Sequence, residues 1–271
     1  VKARRFRLTD RDRSLLAATV AYRALTTSQI VRLGFFGSAV RCNARLRRLR
    51  EEGLARVERV SSLQGRSAIH RASAKAAPLV TEVLHMDVDD VRRLCNDRLS
   101  LFQSEHCHRA TELSIALQAG CAVAEGVTAS VTPELLCRHE YEAKSGGRWQ
   151  RRVFKPDGAL TLCVDGSVRV CFLEVDLGHV SLPRFTAKVA SYRQYQREAF
   201  SETYGLESFT VLTVTTGPRR LGHLSRLAED PDPLFLFTTF KDVEDEGPYA
   251  DVWLRSTDGR RCALTGVEGA Q

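Results

Sequence analysis

Apolar positions in the first 72 residues recur at helical spacing and then change to alternation. A first helix is expected after Thr9, which can cap it with Asp12 three residues on, and its buried face is Leu15, Leu16, Thr19 and Val20. Thr26 and Gln29 repeat the capping-box spacing for a second helix with Ile30 and Leu33 inside. After Gly34-Phe35-Phe36-Gly37, Ser38 can cap a third, SAVRCNARLRRLREE, which Gly53 would end. Val40, Leu46 and Leu49 are expected inward on it. Two short strands follow, LARVERV and SAIHRAS, around Leu63-Gln64-Gly65-Arg66. Residues 73–126 read as helical, with a helix from about Ser104 to Gly120 that packs Leu113, Ala116 and Leu117 on the following sheet.

From Leu135 the pattern becomes that of strands. LLCRHEYEA is expected as the first strand and AKSGGRWQ as a mobile loop. Val153–Val164 and Ser167–Leu177 are apolar, β-branched runs joined by Asp165-Gly166, a pair suited to a tight type I′ turn. The helix LPRFTAKVASYRQY, the strand SFTVLTVTT, the helix PRRLGHLSRLAED, the strand LFLFTTF and a terminal hairpin around Trp253 complete an α/β alternation. That order predicts an α/β (α+β) chain whose second part is a mixed sheet flanked by helices.

The central hairpin allows its register to be computed. A two-residue turn pairs Val164 with Ser167 and carries Asp157 across the ladder from Glu174, two carboxylates roughly 5 Å apart. Asp176 shares the face of Glu174. Carboxylates without cysteine or histidine beside them suit Mg²⁺ or Mn²⁺. Lys188 on the next helix, with Arg184 and Tyr192 a turn away on either side, could steady a phosphate there. A competing reading uses the same register: Lys155 falls opposite Asp176, and the charges pair on a solvated face.

Net charge changes the picture more than composition does. Residues 1–72 hold 17 Lys/Arg against 5 Asp/Glu, a net of +12, whereas the whole chain carries +7. A basic module joined to a mildly acidic one points to a polyanion partner for the first. The eight cysteines contain no CxxC pair, which favours reduced thiols over a disulfide framework. His106, Cys107, His108, Cys137 and His139 lack the usual spacing of zinc ligands. No apolar run is long enough to span a membrane, and VKARRFRLTD lacks the apolar core of a signal peptide, so a cytoplasmic protein without a membrane partner is expected.

Three helices and a hairpin resemble a winged helix-turn-helix, as does the string T-x-x-Q-I … R-L-R-R-L-x-x-x-G-L. Pro156-Asp157 followed by Glu174-x-Asp176 resembles the PD-(D/E)XK nucleases. The longer pattern of PDG, LEVDLG, the Lys188–Tyr192 helix and the late strand around Trp253 is similar to the bacterial replication-relaxation proteins. These resemblances imply a winged helix over 1–72, a helical linker over 73–102, a restriction-endonuclease-like domain over 103–264 and a tail over 265–271. Double-stranded DNA would be the partner, read by Arg41, Asn43, Arg45 and Arg48 with Arg66 at the wing tip. Asp157, Glu174 and Asp176 would hold Mg²⁺ or Mn²⁺, with Glu112 supplied by the preceding helix, and Lys188 would complete the catalytic set. The nuclease motif ordinarily ends in lysine where Asp176 stands, and Lys188 would replace it from the helix.

Two functions follow. One is a metal-dependent endonuclease that nicks or cleaves plasmid or mobile-element DNA during replication, relaxation or transfer. The other is a non-catalytic replication or transcription regulator with a degenerate nuclease fold, acting with other replication, transfer or transposition proteins or as a homodimer. A relaxase using Tyr192 or Tyr195 as covalent nucleophile is a third.

Overall fold

Three helices of the N-terminal unit begin where a hydroxyl can take over an orphan backbone donor. In the computed structural model, which describes residues 6–62, 65–124, 126–229 and 233–266, Thr9 caps α1 (Asp10–Ala21) and Thr26 caps α2 (Thr27–Arg32), each in a reciprocal capping box. Ser38 caps α3 (Ala39–Glu51). A short β1 (Leu25–Thr26) and the hairpin β2 (Ala55–Ser62) and β3 (Gly65–Ala72) make an antiparallel sheet in the order β1-β3-β2. The expected turn at Leu63 and Gln64 and the tail at 267–271 lie outside the described residues, as does the side chain of Arg66.

Leu46 and Leu49 face inward on α3 as expected, but the inner stripe begins at Cys42 and leaves Val40 outside it. Val40 is 80% exposed. It sits a half-turn before the i, i+4, i+7 stripe that Cys42 begins.

Contacts divide the chain into Val1–Ile115 and Ala116–Gln271. Residues 73–102, read above as a linker, form α4 (Ala77–Leu84) and α5 (Val88–Asn96). Both pack with α1, because Val80, Leu84, Val91 and Cys95 are buried. The division falls within α6 (Leu101–Gly120).

The second unit contains β4 (Val127–Pro133), β5 (His139–Ser145), β6 (Arg148–Phe154), β7 (Gly158–Val164), β8 (Ser167–Asp176), α7 (Leu182–Tyr195), α8 (Ser201–Tyr204), β9 (Thr210–Thr215), α9 (Pro218–Ser225), β10 (Leu234–Thr239), α10 (Phe240–Glu246), β11 (Trp253–Arg255) and β12 (Arg261–Cys262). Its mixed sheet runs β12-β11-β10-β9-β8-β7-β4, with β8, β9 and β10 parallel and the flanking pairs antiparallel. The chain is therefore of the mixed α+β class. Parallel strands covered on both faces should be apolar nearly throughout, and Val211, Leu212, Val214, Phe235, Leu236 and Phe237 are all buried.

Helices α7 and α9 share one core with the sheet: Phe185, Val189 and Leu224 pack with Phe172, Val211 and Phe237. Truncating a fully buried ring such as Phe172 would cost about 3–5 kcal/mol.

The β7–β8 register is the one computed from the turn, running from Val164↔Ser167 to Gly158↔Leu173. Asp165 and Gly166 both take positive φ, as a type I′ turn requires. Two expectations fail nearby. LLCRHEYEA is not one strand, because Glu134–Leu136 is a 3₁₀ turn and pairing starts at His139. The stretch expected as a loop, AKSGGRWQ, closes a separate two-stranded ribbon, β5–β6. The first strand of the main sheet is β4, whose VTASVTP carries too few large apolar residues to stand out.

Candidate functional site

Pro156 has no N–H to offer the ladder, so pairing between β7 and β8 is finished by the residue after it. The Asp157 N–H donates to the Leu173 carbonyl at 3.0 Å, and its Oδ2 accepts the Val175 N–H at 2.8 Å. The aspartate side chain thus continues the ladder past its last backbone pair. Gly158 follows because a Cβ there would stand 3.1 Å from the Thr132 carbonyl oxygen.

Glu174 is buried, and both its oxygens are engaged from α7. Tyr192 donates its hydroxyl to Oε1 at 2.6 Å, and the Lys188 ammonium contacts Oε2. Lys188 and Tyr192 are four residues apart, so one helical face carries both donors. Burial pushes the Glu174 carboxyl above its ordinary value, with Lys188 opposing and the Asp157 charge adding to the rise. Burial alone would lower Lys188, but Glu174 first, then Asp157, hold its ammonium above the usual lysine range. Burial and Glu174 raise Tyr192 well above a free phenol. Asp157, Glu174 and Lys188 therefore share one electrostatic neighbourhood.

Asp176 is also buried but belongs to a different cluster. Arg220 of α9 grips it with two bonds, Nε to Oδ2 at 2.9 Å and Nη2 to Oδ1 at 3.0 Å, and Thr215 donates to Oδ2 at 2.7 Å. Lys155, expected across from Asp176, pairs with Glu134 at 2.8 Å. Glu112, the acid expected from the preceding helix, accepts from Gln29 at 3.0 Å and pairs with Arg32 at 2.5 Å within the N-terminal unit. Arg220 and Thr215 had no signature in the sequence, since only the β8–β9–α9 crossover brings them to Asp176.

This donor set does not fit a divalent cation as it stands. Every oxygen of Glu174 and Asp176 accepts from a side-chain donor, and an ion there would sit against an ammonium or a guanidinium. Among the described residues no group of three or more His, Cys, Asp or Glu side chains is arranged to hold a metal.

On α3, Arg41, Asn43 and Arg48 are exposed, as are Ala39, Val40, Ala44 and Arg47. Arg48 reaches Glu51 at 3.3 Å, and Asn43 accepts from the Thr27 hydroxyl at 2.9 Å. Arg45 does something else. Its Nε donates to Asp12 at 2.7 Å, its Nη2 to the Arg7 carbonyl at 2.8 Å, and its guanidinium lies 4.8 Å over the Phe6 ring. Asp12 is fully buried; burial would raise its carboxyl, but hydrogen bonds from Arg45 and Thr9 hold it below the ordinary value. Arg45 is a fold-stabilising partner of α1, where the sequence reading had it facing DNA.

The remaining candidate groups are buried or half-buried. Tyr192 and Tyr195 lie in the core, Tyr195 stacked against Phe154 at 4.1 Å, so neither can reach a phosphodiester as a nucleophile. Burial pushes the Cys137 thiol up to about 12. His108 contacts Gln29 at 3.0 Å, and His139 contacts the Tyr204 hydroxyl at 3.2 Å amid a cluster of rings.

A basic, capped helical unit and a mixed-sheet unit with an internally neutralised acid cluster define a two-unit α+β protein. By its match to the replication-relaxation family model over residues 16–210, the chain belongs to that family, and its role lies with the replication or relaxation of DNA. No curated protein and no solved structure matches it. Among the described residues no helix is long and apolar enough to cross a membrane.

Proposed function

We propose that this protein is a DNA-binding member of its family in which a winged-helix unit holds duplex DNA and a nuclease-like unit serves as a non-hydrolytic scaffold. The observation that carries the scaffold reading is the saturation of Glu174 by Lys188 and Tyr192 and of Asp176 by Arg220 and Thr215. Hydrolysis would need those carboxylates to face a metal and water instead.

The DNA-binding reading rests on the outer face of α3. Arg41, Arg47 and Arg48 can take phosphates or guanine edges, Asn43 can read adenine, and Val40 offers a methyl contact to thymine. Plasmid or mobile-element DNA is the proposed target, with other replication or transfer proteins supplying the cutting.

A second reading, cleavage with Mg²⁺ or Mn²⁺, is favoured by the shared neighbourhood of Asp157, Glu174 and Lys188. One assay separates the two. Supercoiled plasmid incubated with the protein and either ion is expected to shift in a gel while staying supercoiled. Nicked or linear product that disappears with Asp157→Ala would overturn the scaffold reading. Absence of any salt-sensitive shift would overturn the DNA-binding one.

A further inference from the structure

The β5–β6 ribbon is built differently at its two ends. At the root, Phe154 stacks on Tyr195, Tyr141 meets Tyr195 at 5.4 Å, and His139 lies within 6.1 Å of Phe172. Toward the tip, the Gly146-Gly147 turn takes positive φ at both residues, and a Cβ on either glycine would meet nothing within 4 Å. The ribbon is an anchored arm with an open end.

The ribbon and its flanks are basic in a unit whose sequence is otherwise acidic, since residues 138–155 contain six Lys/Arg and two Asp/Glu, and Lys144, Arg148 and Trp149 stand at the open end. The two acids are already engaged or flanked: Glu140 pairs with Arg138 and Arg151, and Glu142 lies across the ladder from Arg151. Lys144 pairs in register with Trp149, so their side chains leave the same face of the ribbon. Trp149 is 66% exposed, and Arg148, the first residue after the turn, is exposed on the opposite face.

An indole left in water near the end of the ribbon, beside a lysine, lacks a folding explanation, because the root anchors the arm. A flat ring beside positive charge suits a nucleobase whose face is open, with the cations on the flanking phosphates. Paired bases in a duplex hide those faces by stacking on one another.

We propose that the tip of the β5–β6 ribbon binds single-stranded DNA, Trp149 stacking on an unpaired base while Lys144 contacts an adjacent phosphate on that face and Arg148, on the other side of the turn, takes one further along the strand. This contact is independent of α3. It would let one protein hold duplex through its N-terminal unit and an opened strand through its second.

The chain has two tryptophans, and Trp253 is fully buried, so quenching by added DNA reports on Trp149. The 271-residue chain is titrated with a 15-nucleotide oligothymidylate and, separately, with a blunt duplex of equal length. Saturable, salt-sensitive quenching by the oligothymidylate is expected. Trp149→Ala should weaken binding measured by anisotropy of a labelled oligonucleotide by about tenfold, and Trp149→Phe should restore part of it. The double variant Lys144→Glu, Arg148→Glu should weaken it further and flatten its salt dependence. Unchanged circular dichroism in each variant shows that the fold is retained.

Quenching by the duplex alone, no quenching by either DNA, or full affinity in Trp149→Ala would each overturn the proposal. Arg41→Glu with Arg48→Glu distinguishes the two contacts. It should abolish the duplex shift and leave oligothymidylate quenching intact; loss of both would mean that the ribbon has no binding of its own.

Discussion

Replacing Lys188 by methionine tests whether the acid cluster is held together as a structural ion pair. The lysine side chain is 39% exposed and that of Glu174 only 5%. Breaking a fully buried pair costs about 3–5 kcal/mol, and an exposed one about 0–1 kcal/mol. Water can reach the lysine but not the glutamate, so a loss of about 2–3 kcal/mol at pH 7 is expected. The sign of the pH dependence is fixed by what remains. Glu174, already raised by burial, would rise further without the ammonium. A carboxyl whose folded value exceeds its unfolded value destabilises the fold when ionised, and that penalty disappears as pH falls and the group is protonated. The variant should therefore lose more stability at pH 8 than at pH 5, and Glu174→Gln in the same chain should recover most of the loss. Both tryptophans lie in the second unit, so urea unfolding followed by their emission reports on it, and a midpoint lowered by roughly 1 M is expected. A Lys188→Met protein within 0.5 kcal/mol of the parent, or a loss that ignores both pH and Glu174→Gln, would refute the reasoning.

Three further substitutions probe other parts of the fold. Arg45→Met should destabilise the N-terminal unit by about 3 kcal/mol by stranding buried Asp12, while Arg41→Ala should change thermal unfolding by less than about 0.5 kcal/mol; equal effects would contradict the different roles assigned to them. Arg220→Met should lower the stability of the second unit by about 2–4 kcal/mol through the unpaired Asp176, measurable by the same urea titration. Burial, with Arg50 adding, pushes His70 down to about 4, against an unfolded value near 6.5. The unfolded chain then takes the proton first, so stability is full above about pH 7 and falls between pH 6.5 and 4 by up to about 3 kcal/mol. His70→Gln should flatten that decline in circular-dichroism melts, and an unchanged slope would argue against it.

Local rules carried the reading where the causes were local. The capping boxes at Thr9 and Thr26 need only three residues, and the β7–β8 register needs only a turn type, so both could be worked out in advance. Asp176 shows where such rules stop. Its partner Arg220 arrives from 44 residues away, after a parallel crossover that no spacing encodes. The Arg45–Asp12 pair was out of reach for a related reason: a helical wheel separates inner from outer positions, but it cannot tell that buried Asp12 of another helix waits beside one arginine. The pairing of the ribbon was missed because Glu140, Glu142, Lys144 and Arg151 share its outward face with exposed Trp149 and Val153, which blurs strand alternation, and its paired glycines read as a loop.

The bond from the Val175 amide gives Asp157 a role in the fold itself. An aspartate that closes a sheet in this way has a structural duty whether or not any chemistry takes place beside it. Its presence at a Pro-Asp-Gly step is therefore a poor guide to cutting, and what faces the neighbouring glutamate is the better one. Here a helix delivers an ammonium and a phenol to the two oxygens of Glu174, so the step works as a hinge pin of the sheet.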